Sequence, residues 1–118
     1  MNALIKNNKQ QIIELCKQHH VKELYVFGSA VRDDFNENSD IDFLYEFDTT
    51  GIDFNNLKNA AYDYTDNFFS LLECLERILR RKVDLLPYKE IKNEHFKKSV
   101  EADKILIYSN EEFAEISY

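Results

Sequence analysis

Apolar positions recur at helical spacing from Leu4 to His19, through Leu4, Ile5, Ile12, Ile13, Leu15 and Cys16, and predict a first helix. The run Glu23 to Phe27 (ELYVF) is short, aromatic and β-branched, and it stops at Gly28, as a buried strand does. A short helical segment fits Ser29 to Arg32. Next, Ile41, Phe43, Tyr45 and Phe47 alternate with Asp42, Leu44 and Glu46, the period-2 signature of a second strand. Asp53 is placed to cap a long helix with the stripe Leu57, Ala60, Ala61, Tyr64, Phe68, Leu71, Leu72, Leu75, Ile78, Leu79. Lys82 to Leu86 (KVDLL) reads as a third strand, stopped by Pro87. A last helix spans Asn93 to Lys104, and Ile105 to Tyr108 closes the fold. The order predicts an α/β (α+β) sandwich, a small mixed sheet covered by helices on one face. Residues 1–108 form the domain and residues 109–118 an acidic tail.

Composition narrows this further. At 118 residues the chain is long enough for one domain and its core, with 44% apolar residues to fill it, among them seven Tyr and nine Phe. Two Gly and one Pro are too few for the frequent turns of an all-β sandwich. The charge of −7, from 15 basic and 22 acidic residues, argues against direct nucleic-acid binding. The tight basic cluster Arg77, Arg80, Arg81, Lys82 reads first as the positive end of a helix. No apolar run is long enough to span a membrane, and no leader opens the chain. Cys16 and Cys74 read as free thiols, and His19, His20 and His95 lack metal-ligand spacing, so a cytoplasmic protein is expected. Tyr62, Tyr64, Phe68 and Phe69 read as core or interface aromatics, and His19-His20 as a helix-end cap.

The polar residues that interrupt the strands carry the chemistry. Gly28-Ser29 falls where the first strand ends, and offers close backbone approach, N–H groups and a hydroxyl to an anion. Asp40 and Asp42, two residues apart, point to one face of the second strand, with Cα atoms about 6.6 Å apart. Asp84 stands between Val83 and Leu85, where burial of both faces would call for an apolar residue. Each alone has a bland reading: Asp40 a turn residue, Asp42 a solvent-facing one, Asp84 an edge-strand charge that discourages aggregation. Glu46 lies about 13 Å along the strand from Asp42 and reads as solvated. Together, three strand carboxylates repel one another unless a cation sits among them. Hard oxygen ligands suit Mg2+, and two ions about 3.5–4 Å apart would form a clamp for attack at phosphorus.

Gly-Ser, ten residues, then Asp-x-Asp, in GSAVRDDFNENSDID between two aromatic-apolar strands, resembles the signature of minimal nucleotidyltransferases of the DNA polymerase β-like superfamily. KVDLL around Asp84 matches that family's third carboxylate, and the resemblance runs from Leu24 to about Tyr108. One departure stands out: members often carry Arg-Gly after the Gly-Ser, whereas Arg32 is followed here by Asp33.

The resemblance implies a polymerase β-like fold and transfer of NMP from an NTP, ATP foremost, to a hydroxyl, with Mg2+. Asp40 and Asp42 would bridge two metal ions and Asp84 would hold the one that activates the acceptor, while Gly28, Ser29 and Arg32 bind nucleotide. Single-domain members are typically antitoxins paired with a small helical HEPN-type toxin. A partner tyrosine modified by AMP is thus the implied acceptor, its site supplied by that partner or by a homo-oligomer. Two alternatives stand beside it: an antitoxin that masks its partner by binding alone, and transfer to a small-molecule alcohol such as an aminoglycoside.

Overall fold

The computed structural model describes residues 2–32, 34–50 and 64–111. The chain runs α1 (Ala3–Asn7), α2 (Lys9–Gln18), β1 (Val21–Phe27), a 3-10 turn (Gly28–Ala30), β2 (Ile41–Phe47), α3 (Tyr64–Leu79), β3 (Val83–Pro87), a second 3-10 turn (Tyr88–Glu90), α4 (Glu94–Asp103) and β4 (Ile105–Ser109). The single helix expected over Leu4 to His19 is broken at Asn8. Its side-chain amide donates to the Leu4 carbonyl at 2.8 Å, competing with the helical ladder as Asn commonly does. The Asp53 cap and the Leu57, Ala60, Ala61 and Tyr62 positions lie outside the described residues.

The four strands pair in the order β3-β2-β1-β4. β1 is antiparallel to β2 and β4, while β3 joins β2 in parallel. The parallel pair requires a crossover, and α3 lies within it. Pro87 is the last paired residue of β3, opposite Tyr45, on an edge strand where its missing N–H does no harm.

Period-2 alternation sorts β2 between two cores. Ile41, Phe43, Tyr45 and Phe47 pack with Ile5, Ile12 and Cys16 and with the α3 stripe Leu71, Leu75 and Leu79. The opposite face was expected to be open. It is partly covered instead: fully buried Leu44 packs with Phe27 and with Val100 of α4. A leucine between Asp42 and Glu46 on that face needs such a lid, and α4 provides it. Phe96 of α4 also meets Phe27 edge-to-face, with ring centroids 6.0 Å apart.

The Asn93 side chain caps α4, accepting from the Phe96 amide at 3.0 Å. Asn93→Ala is expected to lower stability by about 1 kcal/mol, read from urea unfolding midpoints at unchanged slope.

Other expectations are refined by packing. His19 joins two helices: Nδ1 donates to the Leu15 carbonyl at 2.8 Å and Nε2 bonds the Ser70 hydroxyl at 2.9 Å. Phe68 packs on the main core, whereas Tyr64 and Phe69 are exposed. Glu46 is not simply solvated, because the chain after Pro87 returns over it and Lys89 Nζ pairs with its carboxylate at 2.7 Å. Cys16 and Cys74 are free thiols, and burial pushes the Cys16 thiol up to about 12. Ser109 pairs with Glu23, and the Asn110 amide donates to the Lys22 carbonyl at 2.9 Å. Among the described residues, no helix is long and apolar enough to cross a membrane.

Candidate active site

Three adjacent strands bring the expected residues to one end of the α4 face. β1 ends at Phe27, whose register partner on β2 is Asp42. Asp42 in turn is the partner of Asp84 on parallel β3. Gly28 follows Phe27 with φ +74°, a left-handed conformation that glycine adopts freely. A Cβ there would lie 2.6 Å from Asp42 Oδ2, so the missing side chain makes room for the carboxylate. Val31 and Arg32 amides then close on the Gly28 carbonyl at 3.0 and 3.2 Å. The short helical segment expected over Ser29 to Arg32 is thus a 3-10 helix that begins one residue earlier, at Gly28.

The electrostatics follow from that placement. Asp42 is half-buried, and its carboxyl is pushed up to about 6. Burial is the larger cause, followed by the charge and hydrogen bonding of Asp84 and the charge of Asp40, with Arg32 pulling the other way. Like charges on adjacent strands repel, so the register of β2 and β3 places a cost on Asp42 and Asp84 being ionised together. The Asp42 and Asp84 carboxylates thus stand side by side, each raising the cost of ionising its neighbour on the adjacent strand.

Asp40 stands one residue before β2, within electrostatic reach of Asp42. Among the described residues, no three His, Cys, Asp or Glu side chains stand together as a ready-made metal set. Mg2+ takes one or two protein carboxylates and completes its shell with waters and substrate phosphates. Asp42 and Asp84 therefore fit the ion with nucleotide bound, and Asp40 is the nearby third carboxylate.

Arg32 is half-exposed and pairs with Asp34 and with Asp103 of α4, both at 3.2 Å. Asp34, then Asp103, hold its guanidinium above the ordinary arginine value. A nucleotide phosphate at Arg32 would compete with these two carboxylates. Asp33 lies outside the described residues.

Residues 10–113 match the family model described as polymerase beta, nucleotidyltransferase. The chain belongs to that nucleotidyltransferase family. This nucleotidyltransferase is 40% identical over 90 residues to a Methanocaldococcus jannaschii protein named as a candidate protein adenylyltransferase, covering 76% of this chain and 80% of that protein. Its fold is that of a solved candidate minimal nucleotidyltransferase, with a TM-score of 0.65, 22% identity, and 89% and 95% of the two chains covered. It also matches a chain in the structure of a tri-AMPylated Shewanella oneidensis HEPN toxin in complex with its MNT antitoxin. There the TM-score is 0.56, with 18% identity over 94% of this chain and 77% of that one.

Two contributors escaped the sequence pattern. Asp103 reaches Arg32 from 71 positions away. Arg81, read as part of a helix-end cluster, bonds the loop before Asp40. Neither carries a periodic signal; the basic cluster after α3 is the only hint.

Proposed function

We propose that this chain is a protein adenylyltransferase that moves AMP from ATP to a hydroxyl, the acceptor being a tyrosine of a small helical HEPN-type toxin that it neutralises. The observation that carries the reading is the Asp42–Asp84 pair beside a glycine whose missing Cβ leaves room for it.

Asp42 and Asp84, with Asp40 beside them, would hold Mg2+, which would supply charge neutralisation for the triphosphate and the leaving pyrophosphate. The Gly28 and Ser29 amides and the Ser29 hydroxyl bind the β- and γ-phosphates. Asp84 lies on the edge strand and is exposed, and it takes the proton of the entering hydroxyl. The acceptor oxygen bonds to the α-phosphorus as the bond to the bridging β-phosphate oxygen breaks. Pyrophosphate leaves. Arg32 adds phosphate binding once freed from Asp34 and Asp103.

Support for the protein acceptor comes from the name of the M. jannaschii relative and from the AMPylated toxin of the S. oneidensis complex. The test is intact-mass spectrometry of the toxin-like product of a neighbouring reading frame, incubated with this chain, ATP and Mg2+. One or more AMP increments are expected, lost when its acceptor tyrosine is changed to Phe. An unmodified partner that still co-purifies would mean masking by binding alone, and AMP on a small molecule only would mean a small-alcohol acceptor.

A further inference from the structure

Asp40 is the carboxylate that strand pairing does not fix, since it precedes the first residue of β2. Its position is inherited from the loop before it. Inside that loop the Asn36 amide donates to Ser39 Oγ at 3.0 Å, the Asn38 amide to Asn36 Oδ1 at 2.8 Å, and the Ser39 amide to the Asn36 carbonyl at 3.0 Å. These bonds shape a turn but do not attach it to the sheet.

Arg81 does. One guanidinium nitrogen, Nη2, donates to the Ser39 carbonyl at 2.8 Å and also to the Asn36 carbonyl, so its two hydrogens span both ends of the turn. The guanidinium lies over the Phe35 ring, 4.6 Å from its centroid, and Phe35 packs on the main core. Arg81 reaches this place because α3 ends with Arg80 at φ +53°, the Arg80 amide bonding the Glu76 carbonyl at 2.8 Å. One residue on, the Lys82 carbonyl accepts from the Ile41 amide at 3.0 Å. Three residues beyond Arg81 comes Asp84. The segment 81–84 therefore holds the Asp40 loop with one end and carries the partner of Asp42 at the other.

We propose that Arg81 is a positioning residue for the carboxylate site, fixing Asp40 against the Asp42–Asp84 pair by clamping the Asn36–Ser39 turn. The proposal rests on the reading of those three aspartates as metal-holding groups. Arginine is required rather than any cation. Lysine keeps the charge, but lacks the planar group that both bridges two carbonyls and stacks on a ring.

The test uses the full chain saturated with a non-hydrolysable ATP analogue and Mn2+ as the probe, with protein-bound Mn2+ followed by electron paramagnetic resonance and folding by circular dichroism and thermal melting. Arg81→Ala is expected to weaken Mn2+ binding about 10-fold or more, as loss of groups that orient metal ligands does. Arg81→Lys should stay nearer to Ala than to wild type. In label transfer from ATP, kcat should fall and half-saturating Mg2+ should rise, while the KM for ATP changes by less than about 2-fold. Should Arg81→Ala fail to fold, Phe35→Leu removes the stacking ring alone and should weaken Mn2+ binding in the same direction. Folded Arg81→Ala, or Phe35→Leu in its place, with wild-type Mn2+ affinity would overturn the proposal. Equal Mn2+ binding by wild type and Asp42→Asn would overturn the carboxylate reading, and this proposal with it.

Discussion

Asp42→Asn is expected to abolish nucleotidyl transfer and yet, in metal-free buffer near neutral pH, to melt higher than wild type. In the proposed mechanism the substitution removes a ligand for the ion that would neutralise the triphosphate, and the expected loss is about 10³-fold in kcat/KM, or ~4 kcal/mol. The stability change has the opposite sign. The Asp42 carboxyl is held at about 6, against an ordinary 3.8, by burial first and the charge of Asp84 second. The native state thus binds more protons than the unfolded chain between about 4 and 6, and stability falls as pH rises through that window. Above it, wild type carries the whole cost of an ionised Asp42. Asparagine has no charge to desolvate and donates an N–H toward Asp84. Full conversion of the shift gives roughly 3 kcal/mol, but solvent screens a half-exposed carboxyl, so the gain is about 1 kcal/mol. A rise of about 4 °C at pH 7.5 is expected, shrinking as pH falls toward 4. Thermal melts in EDTA at several pH values check it. A pH-independent drop in melting temperature would mean that Asp42 serves the fold.

Gly28→Ala should be nearly as damaging to transfer, for a steric reason. The added Cβ meets Asp42 Oδ2 at 2.6 Å, and at φ +74° the side chain is strained whatever space it finds. Backbone strain costs about 1 kcal/mol. The larger consequence is displacement: Asp42 must turn away, carrying the carboxylate out of its place between Gly28 and Asp84. A displacement of about 1 Å at a reacting centre costs about 10²-fold, so a loss of that order in kcat is expected, with a melting temperature a few degrees lower. Full activity in Gly28→Ala would contradict the close approach of Gly28 and Asp42.

The strands were legible in the sequence from their apolar runs and period-2 alternation, and the aspartates from their places in them. Asp42 interrupts nothing, yet lies on the face opposite Phe43 and Tyr45, while Asp84 breaks an apolar run. Gly28 was legible as the stop of β1, and the structure adds why no other residue serves there. What escaped was set by competition or by distance. The break at Asn8 depends on one side-chain bond winning over a helical one. The cover over Leu44 comes from Val100 of a helix whose apolar face is short. Arg32 meets Asp103, and Arg81 meets Asn36 and Ser39, across separations that no local pattern encodes.

The most direct measurement of the central claim is label transfer from ATP carrying the isotope at the α- or the γ-phosphate, with Mg2+ and the toxin-like partner present, by wild type and Asp84→Asn. A labelled partner is expected with α-label only, and none with Asp84→Asn. Label arriving from the γ-phosphate, or α-label transfer undiminished in folded Asp84→Asn, would contradict it.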